Sequence, residues 1–195
     1  MANPTVLHSQ VVKRVMRYVK GTVNLGIFYK RKGDEKLLAY TDSDYAGDIN
    51  DRKSTSGFVF SLSGGAVSRS SKKQPIVILS TTEAEYVAAA SCATQGIWMK
   101  RVLDKLGHTQ GKCITILCDS SSTIKLSRNP ILHGRSKHID VRFHFLHDLT
   151  RYGKLKLVHC GSHDQVADIM TKPLKLNAFV KLRELLGVCD VPSLN

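Results

Sequence analysis

Four acidic residues lie in or beside short apolar segments, and this placement constrains the fold more than any other feature of the chain. They are Asp42, Glu85, Asp119 and Asp168. Two of them end apolar runs of strand length, residues 38–41 and 114–118. A carboxylate packed against an apolar element is destabilising by several kcal/mol unless a positive charge neutralises it. No cysteine–histidine framework surrounds them, so the pattern favours hard divalent cations with oxygen ligands, Mg²⁺ or Mn²⁺ rather than Zn²⁺.

The net charge indicates a polyanionic partner. Lysine and arginine number 29 against 16 aspartates and glutamates, which gives this chain of 195 residues a formal charge of +13. Because each neutralised phosphate releases counterions, such a surplus favours nucleic acid. A basic surface kept for solubility is the alternative, and a membrane-surface helix is disfavoured because no lipidation signal or long basic amphipathic run is present. An acidic cluster in a basic chain therefore suggests phosphodiester chemistry on nucleic acid.

The five cysteines and the N-terminus predict an intracellular protein. The cysteines are odd in number, have no C-x-x-C spacing and lie mostly in apolar runs, as expected of small buried side chains in a reducing compartment. The first residues contain no apolar core of signal-peptide length, and no stretch is long enough to span a bilayer. We therefore expect a cytoplasmic or nuclear location and no membrane partner.

Hydrophobic periodicity predicts a mixture of strands and helices. An apolar helical stripe runs through residues 12–19, and an aromatic amphipathic pattern runs through residues 139–152. Gly64 and Gly65 are typical of a hairpin turn after a strand. Predicted strands cover residues 25–29, 37–41, 56–62, 66–68, 114–118 and 155–158. Predicted helices cover residues 12–20, 81–106 and 139–152, with one that begins at Ser120 and two on either side of Pro173.

This order of elements implies an α/β sandwich with an antiparallel hairpin on one side. Open α/β sheets place their chemistry at the carboxyl ends of strands, and Asp119 follows such a strand. Other interpretations stay open for three of the acidic residues. Asp42 could be a turn residue, Asp119 could cap the helix that begins at Ser120, and Asp168 could be an exposed helical residue.

Five short motifs carry a resemblance to a known family. They are residues 40–48, 80–86, 118–120, 136–140 and 166–173. In this order they resemble the ribonuclease H family, in the form found in copia-type retrotransposons, over about residues 37–188. The resemblance divides the chain into residues 1–36, the tail of a connection segment with a basic amphipathic helix and a strand, residues 37–188, a ribonuclease H-like domain, and residues 189–195, a tail.

The resemblance implies a ribonuclease H-like fold, with a five-stranded mixed sheet of one antiparallel hairpin plus parallel strands, and helices on both faces. It implies two Mg²⁺ or Mn²⁺ ions and endonucleolytic hydrolysis of the RNA strand of RNA–DNA hybrids, as in retrotransposon reverse transcription. We expect a fragment of a plant retroelement whose Pol polyprotein carries the reverse transcriptase polymerase segment as a partner. The alternatives are a catalytically silent nucleic-acid-binding remnant and a decayed genomic remnant.

The resemblance also assigns roles to the acidic residues. Asp42 would bridge the two ions, Glu85 and Asp119 would complete one site, and Asp168 would complete the other. Two ions roughly 3.5–4 Å apart can clamp both the attacking and the leaving oxygen of an in-line displacement. Glu83 competes with Glu85, but residues two apart on a helix point about 200° apart, so one site can hardly use both. A capping box fits either residue, and the family pattern assigns Glu85 to the metals and Glu83 to the helix cap.

Histidines and basic residues complete the set of candidates. The spacings of four histidines can suggest zinc, yet no cysteines match them, which favours ordinary core and surface histidines; the four are His133, His138, His144 and His147. Members of the family often have a loop histidine that assists product release, and the candidates for it here are His159 and His163. Candidate nucleic-acid contacts, each of which could instead be a solvated charge, are Arg52, Lys53, Arg69, Lys72, Lys73, Arg135 and Lys137.

Overall fold

The computed structural model describes residues 3–31, 35–129 and 140–191. The α-helices are α1 (Val6–Gly21), α2 (Thr81–Lys105), α3 (Ser121–Arg128), α4 (Asp140–Arg151) and α5 (Leu176–Leu185). The strands are β1 (Leu25–Ile27), β2 (Leu38–Ser43), β3 (Thr55–Leu62), β4 (Gly65–Lys73), β5 (Ile114–Cys118), β6 (Leu155–His159) and β7 (Val188–Asp190). Two short 3-10 helices cover Ser162–Asp164 and Val166–Met170.

The central sheet has five strands in the order β4-β3-β2-β5-β6. Strands β2, β3 and β4 pair in antiparallel fashion, whereas β2, β5 and β6 run parallel. The antiparallel part arises because a two-residue turn joins β3 to β4: Ser63 and Gly64 both have positive φ, 51° and 82°, the geometry that matches the twist of a tight hairpin. This is the five-stranded mixed sheet that the resemblance to the ribonuclease H family implied.

The larger core lies between one face of the sheet and helix α2. Small residues from Ala88 to Ala93 let this helix lie close to the strands, and Tyr86 is fully buried among them. The Tyr86 ring stacks on Phe143 of α4 with ring centroids 5.4 Å apart, and its hydroxyl donates to the Phe143 carbonyl oxygen at 3.0 Å. Helix α2 is therefore fixed on both sides, which fixes the side chains at its start.

A smaller core covers the opposite face of the sheet. Val59 of β3 packs there with Val166 of the second 3-10 helix and with Leu186, just beyond α5. Gly57 of β3 has no side chain, and this allows Val166–Met170 and the residues after it to approach the strand closely. The second layer thus brings the segment around Asp168 onto the sheet.

The ends of the chain pair with each other, which the sequence did not indicate. The predicted strand at residues 25–29 is present as β1, but it pairs with β7 in a separate two-stranded antiparallel sheet. The helix predicted before Pro173 is also not an α-helix: it is the five-residue 3-10 helix Val166–Met170. The β1–β7 pairing joins residues 25–27 to residues 188–190. The boundaries 1–36, 37–188 and 189–195 stay a prediction.

Helix α1 lies outside both cores. Thr5 caps its N-terminus, and none of its residues is buried. Its Tyr18 ring meets the Phe179 ring of α5 edge to face, with centroids 6.5 Å apart. Within the three described stretches of chain, no helix is both long enough and apolar enough to cross a bilayer.

The close approach at Gly57 yields a prediction. A Cβ atom there would lie 2.6 Å from Thr171 Cγ2 and 2.8 Å from Met170 Cβ. Gly57→Ala should therefore be destabilising by about 1–3 kcal/mol, as overpacking of a filled core usually is. Urea unfolding measures this change. Gly161→Ala is the matched control, because an added Cβ there meets nothing within 4 Å, and equal stability of both variants would contradict the packing described.

Candidate metal centre

Two of the four predicted acidic residues meet because their strands are parallel neighbours. Asp42 lies near the end of β2 and is 1% exposed, while Asp119 follows β5 directly and is half-buried. The register pairs Tyr40 with Leu117. Asp42 and Asp119 each stand two residues further on, so their carboxylates emerge at the same edge of the sheet.

Glu85 reaches this edge from the start of helix α2. Its Oε1 atom accepts a hydrogen bond from the Ser43 backbone N–H at 3.3 Å, which ties the helix to the end of β2. Its Oε2 atom is buried and has no hydrogen-bond partner among the described residues. A buried carboxylate oxygen without a partner is unfavourable, so this atom is available to a ligand.

Asp168 comes from the opposite layer, on the 3-10 helix Val166–Met170. The neighbouring Gln165 is fully buried and donates from Nε2 to the Thr41 carbonyl oxygen at 3.0 Å. Together with the close approach at Gly57, this hydrogen bond holds Asp168 beside Asp42.

The four carboxylates form two overlapping groups. One oxygen each from Asp42, Asp119 and Asp168 lies within 4.8 Å of the others. A second group consists of one carboxylate oxygen each from Glu85 and Asp119 and the Cys118 sulfur, which also lie within 4.8 Å of one another. Asp119 therefore belongs to both groups in this geometry, whereas the predicted bridging role of Asp42 stays a prediction.

Burial and the neighbouring carboxylates raise the pKa of three members of the cluster. Burial, then the nearby Asp42 and Asp119, raises the pKa of Glu85 to about 9. Burial also raises the pKa of Asp168 to about 6, with Asp42 and Asp119 adding to the rise and Lys172 opposing it. The pKa of Asp119 rises for the same two reasons, burial first and Asp42 second. Divalent cations would offset this crowding of negative charge, and the oxygen donors suit Mg²⁺ or Mn²⁺.

Cys118 also lies beside the carboxylates, although no spacing in the sequence indicated it as a site residue. Its side chain is fully buried, and the Ser120 backbone N–H donates to its sulfur at 3.4 Å. Burial, followed by the charge of Glu85, raises the pKa of the thiol far above its ordinary value. A protonated thiol is a poor metal ligand, so the group remains an oxygen site.

Lys172 and Thr171 were not predicted as site residues, yet both contact the cluster. The Lys172 ammonium lies 3.0 Å from Asp168 Oδ1 and 3.5 Å from Asp42 Oδ2. The Thr171 hydroxyl donates to the same Asp42 oxygen. The four-residue spacing of Asp168 and Lys172 is the one signal in the sequence that could have indicated the pair.

Glu83 lies at the start of α2, away from both carboxylate groups. Its backbone N–H donates to the Ser80 hydroxyl at 3.2 Å, and its Oε2 atom accepts from the Leu79 backbone N–H at 3.2 Å. These are helix-capping contacts. The assignment of Glu85 rather than Glu83 to the metals stays a prediction.

The predicted basic residues lie in different surroundings. Lys72 and Lys73 line a cleft of about 420 Å³ together with Arg142, whereas Arg69 lines a separate groove. Lys73 is also ion-paired with Asp48 and Asp51, and its hydrogen bond is the main cause that lowers the pKa of Asp48 to about 2.

The remaining basic candidates have different surroundings. The Lys53 ammonium lies 3.7 Å from Asp51, and the neighbouring Arg52 is exposed. Arg135 and Lys137 lie outside the described residues. All seven residues stay predictions as nucleic-acid contacts.

The histidines do not join the carboxylates. His159 ends strand β6 and is exposed, and the exposed His163 lies in the 3-10 helix Ser162–Asp164. In α4, His144 and His147 contact the Phe143 ring. No histidine belongs to a potential metal-binding group in the residues that the structure describes. His133 and His138 lie outside those residues, and the product-release role of His159 or His163 stays a prediction.

Comparison with known proteins identifies relatives along almost the whole chain, although no protein-family model matches it. The chain is 41% identical over 192 residues to the retrovirus-related Pol polyprotein from transposon RE1 of Arabidopsis thaliana, covering 98% of this chain and 13% of the relative. It is 42% identical over 188 residues to the corresponding polyprotein from transposon TNT 1-94 of Nicotiana tabacum, covering 96% and 14%. The chain thus spans about one seventh of the length of these relatives.

Solved structures with a similar fold are ribonucleases H. The structure of LC11-RNase H1 matches with a TM-score of 0.51 and 20% identity, covering 70% of this chain and 93% of that chain. The complex of the same enzyme with an RNA/DNA hybrid gives a TM-score of 0.50 at 16% identity, covering 70% and 94%. The N-terminal RNase H domain of a Mycobacterium tuberculosis protein gives 0.50 at 13% identity, covering 77% and 98%.

These similarities confirm the fold that the sequence motifs implied, and the identity to the plant polyproteins confirms the family. With its five-stranded mixed sheet and its acidic cluster at the sheet edge, the chain has a ribonuclease H fold and belongs to the retrovirus-related Pol polyproteins of plant transposons.

Proposed function

We propose that this chain is a divalent-metal-dependent ribonuclease that cleaves the RNA strand of RNA–DNA hybrids. The observation that carries the proposal is the convergence of Asp42, Asp119 and Asp168, whose oxygens lie within 4.8 Å of one another, with Glu85 beside Asp119. The four carboxylates come from four separate segments, and bringing them together is unfavourable because like charges repel one another. Bound cations would offset this repulsion, and a metal site therefore accounts for the convergence.

The residues present suit a pair of hard cations. Asp42, Asp119 and Asp168 would hold one ion, and Asp119 with Glu85, whose Oε2 atom has no hydrogen-bond partner among the described residues, would hold a second. The predicted bridging role of Asp42 would make its carboxylate a ligand of the second ion as well. When bound, Mg²⁺ or Mn²⁺ would make water nucleophilic and stabilise the charge that develops on the leaving oxygen. The Ser43 N–H fixes Glu85, and Gln165 anchors the segment of Asp168, so that the ligands are held in place beforehand.

The proposed substrate follows from the charge and from the relatives. A formal charge of +13 favours nucleic acid, and a ribonuclease H of similar fold was solved with an RNA/DNA hybrid. Discrimination of RNA would rest on contacts to 2′-hydroxyls in the minor groove rather than on base sequence. Hydrolysis would leave a 3′-hydroxyl and a 5′-phosphate.

The relatives also suggest the setting of this activity. Because they are Pol polyproteins of transposons, we propose that the domain acts in copia-type reverse transcription, next to a polymerase segment of the same polyprotein. Residues 37–188 would form the catalytic domain, and residues 1–36 would form its connection to that segment.

The first prediction concerns the metal ligands. Loss of a residue that only hydrogen-bonds to a metal ligand lowers metal affinity or activity about 10- to 100-fold. Because Asp42 and Asp119 are proposed as ligands themselves, Asp42→Asn or Asp119→Asn should lower hybrid cleavage by more than about 100-fold. EDTA should have the same effect on the wild-type protein. Cleavage of a labelled hybrid in Mg²⁺ measures both effects.

Asp44→Asn is the matched control for Asp42→Asn. Asp44 lies two residues further on, and its Oδ1 accepts from the Thr55 backbone N–H, a bond that the asparagine oxygen can keep. This variant should retain wild-type cleavage. Full activity of Asp42→Asn in Mg²⁺ would refute the metal-site assignment.

The second prediction separates Glu85 from Glu83. Glu85→Gln should lose cleavage but keep its melting temperature in EDTA, because a carboxyl with a pKa of about 9 is already neutral at pH 7. Glu83→Gln should keep most of the activity, and the altered cap should be destabilising by at most about 1 kcal/mol. Activity assays and thermal melts of both variants give the answer, and the opposite pattern would reverse the assignment.

The third prediction concerns the basic cleft. Lys72 is exposed, whereas its neighbour Lys73 is held by Asp48 and Asp51. Lys72→Ala should weaken binding to every hybrid sequence and reduce the slope of log K against log salt by about 1, while Lys73→Ala should change the slope less. Titrations in EDTA, which prevents cleavage, measure both slopes. A binding constant of the wild type that does not depend on salt would show that the basic surplus is not used.

A further inference from the structure

An ammonium group stands between two of the proposed metal ligands. Lys172 Nζ lies 3.0 Å from Asp168 Oδ1 and 3.5 Å from Asp42 Oδ2. The Asp42 side chain is 1% exposed and that of Asp168 is 11% exposed, whereas the lysine side chain is 40% exposed. The charge of the lysine therefore enters an otherwise buried acidic pair from the solvent side.

This ammonium offsets the negative charge of the two carboxylates, as a bound metal ion would. Buried carboxylates are unfavourable unless a positive charge accompanies them, and Lys172 supplies that charge to Asp42 and Asp168. An ion bound to the same two oxygens would lie beside the ammonium, because both would contact those atoms. Two cations at such short range in a partly buried site repel each other strongly.

The backbone around Lys172 is fixed, so only its side chain is free to move. The Lys172 and Thr171 backbone N–H groups both donate to the Asp168 carbonyl oxygen, at 3.1 and 3.2 Å. Pro173 follows directly. Rotation of the long lysine side chain toward solvent would leave this turn and both carboxylates in place.

We propose that Lys172 is an internal counter-cation that competes with the divalent ion for Asp42 and Asp168. In the metal-free protein its ammonium neutralises this pair, and metal binding displaces it toward solvent. The inference rests on the proposed metal site and adds a device that sets its affinity. Displacing the lysine is part of every binding event, so the observed affinity is lower than that of the bare carboxylates.

Calorimetric titration with Mn²⁺ of the full chain tests this competition. Lys172→Met removes the competing charge and should bind Mn²⁺ about tenfold more tightly at this site, the effect expected from losing one charged hydrogen bond at a partly exposed position. Lys175→Met is the matched control. Lys175 is exposed and lies three residues after Lys172, so this variant removes the same charge close by. Its Mn²⁺ affinity should stay within about twofold of that of the wild type.

Thermal melts give a second readout that does not depend on activity. In EDTA, Lys172→Met should melt at a lower temperature than Lys175→Met, because Asp42 and Asp168 lose their counter-charge. Saturating Mn²⁺ should abolish that difference. Equal melting temperatures of the two variants in EDTA would contradict the role of Lys172 as counter-cation.

A third measurement uses the wild-type protein, so it holds even if Lys172→Met does not fold without metal. With ¹⁵N-labelled lysine ammonium groups, the NMR signal of Lys172 should shift on addition of Mg²⁺, while the signal of Lys175 should stay in place. A Lys172 signal that does not respond to Mg²⁺ at saturation would overturn displacement.

The remaining outcomes separate this inference from the proposed function. If Lys172→Met binds Mn²⁺ as tightly as the wild type, or more weakly, the metal site stands and the competition is refuted. If none of the three proteins binds Mn²⁺, the metal site itself is refuted and the inference falls with it.

Discussion

Four carboxylates lie close together at one edge of the sheet, and like charges at this distance repel one another. Asp42 and Asp119 reach that edge on two parallel strands, Glu85 from a helix on one face and Asp168 from a 3-10 helix on the other. Burial and the neighbouring charges raise the pKa of Glu85 to about 9 and that of Asp168 to about 6. The fold must therefore hold together a group of side chains that electrostatics drives apart, and packing elsewhere supplies the required stability.

Two kinds of contact stabilise this arrangement. The first is close packing: Gly57 lets the segment of Asp168 lie on the sheet, and Gln165 bonds that segment to the central strand. The second is polar contact: the Lys172 ammonium pairs with Asp42, and the Thr171 hydroxyl donates a hydrogen bond to it from the same turn. Because both depend on one short segment after β6, the second layer of the fold determines the electrostatics of the site as well as its shape.

The parts of the site that lie on regular elements could be predicted from the sequence, whereas the parts that lie on irregular turns could not. Asp42 and Asp119 each end an apolar run of strand length, so their meeting follows from a parallel pairing. Asp168 was placed through the family resemblance alone, because a 3-10 helix has no hydrophobic periodicity that a sequence reveals. The contact of Lys172 with the cluster depends on that same turn. Strand β1 lies within a predicted strand, but it pairs with a partner far along the chain, and no local pattern predicts that pairing.

One measurement tests most directly the claim that this acidic cluster is a metal centre for ribonuclease chemistry. The purified chain is incubated with end-labelled RNA paired with DNA, with the same RNA paired with RNA, and with the corresponding DNA duplex, each with and without Mg²⁺. A metal centre of this kind should cleave the RNA strand in the hybrid alone, and only with Mg²⁺. Cleavage of the hybrid that continues unchanged in EDTA, or equal cleavage of all three duplexes, would contradict it.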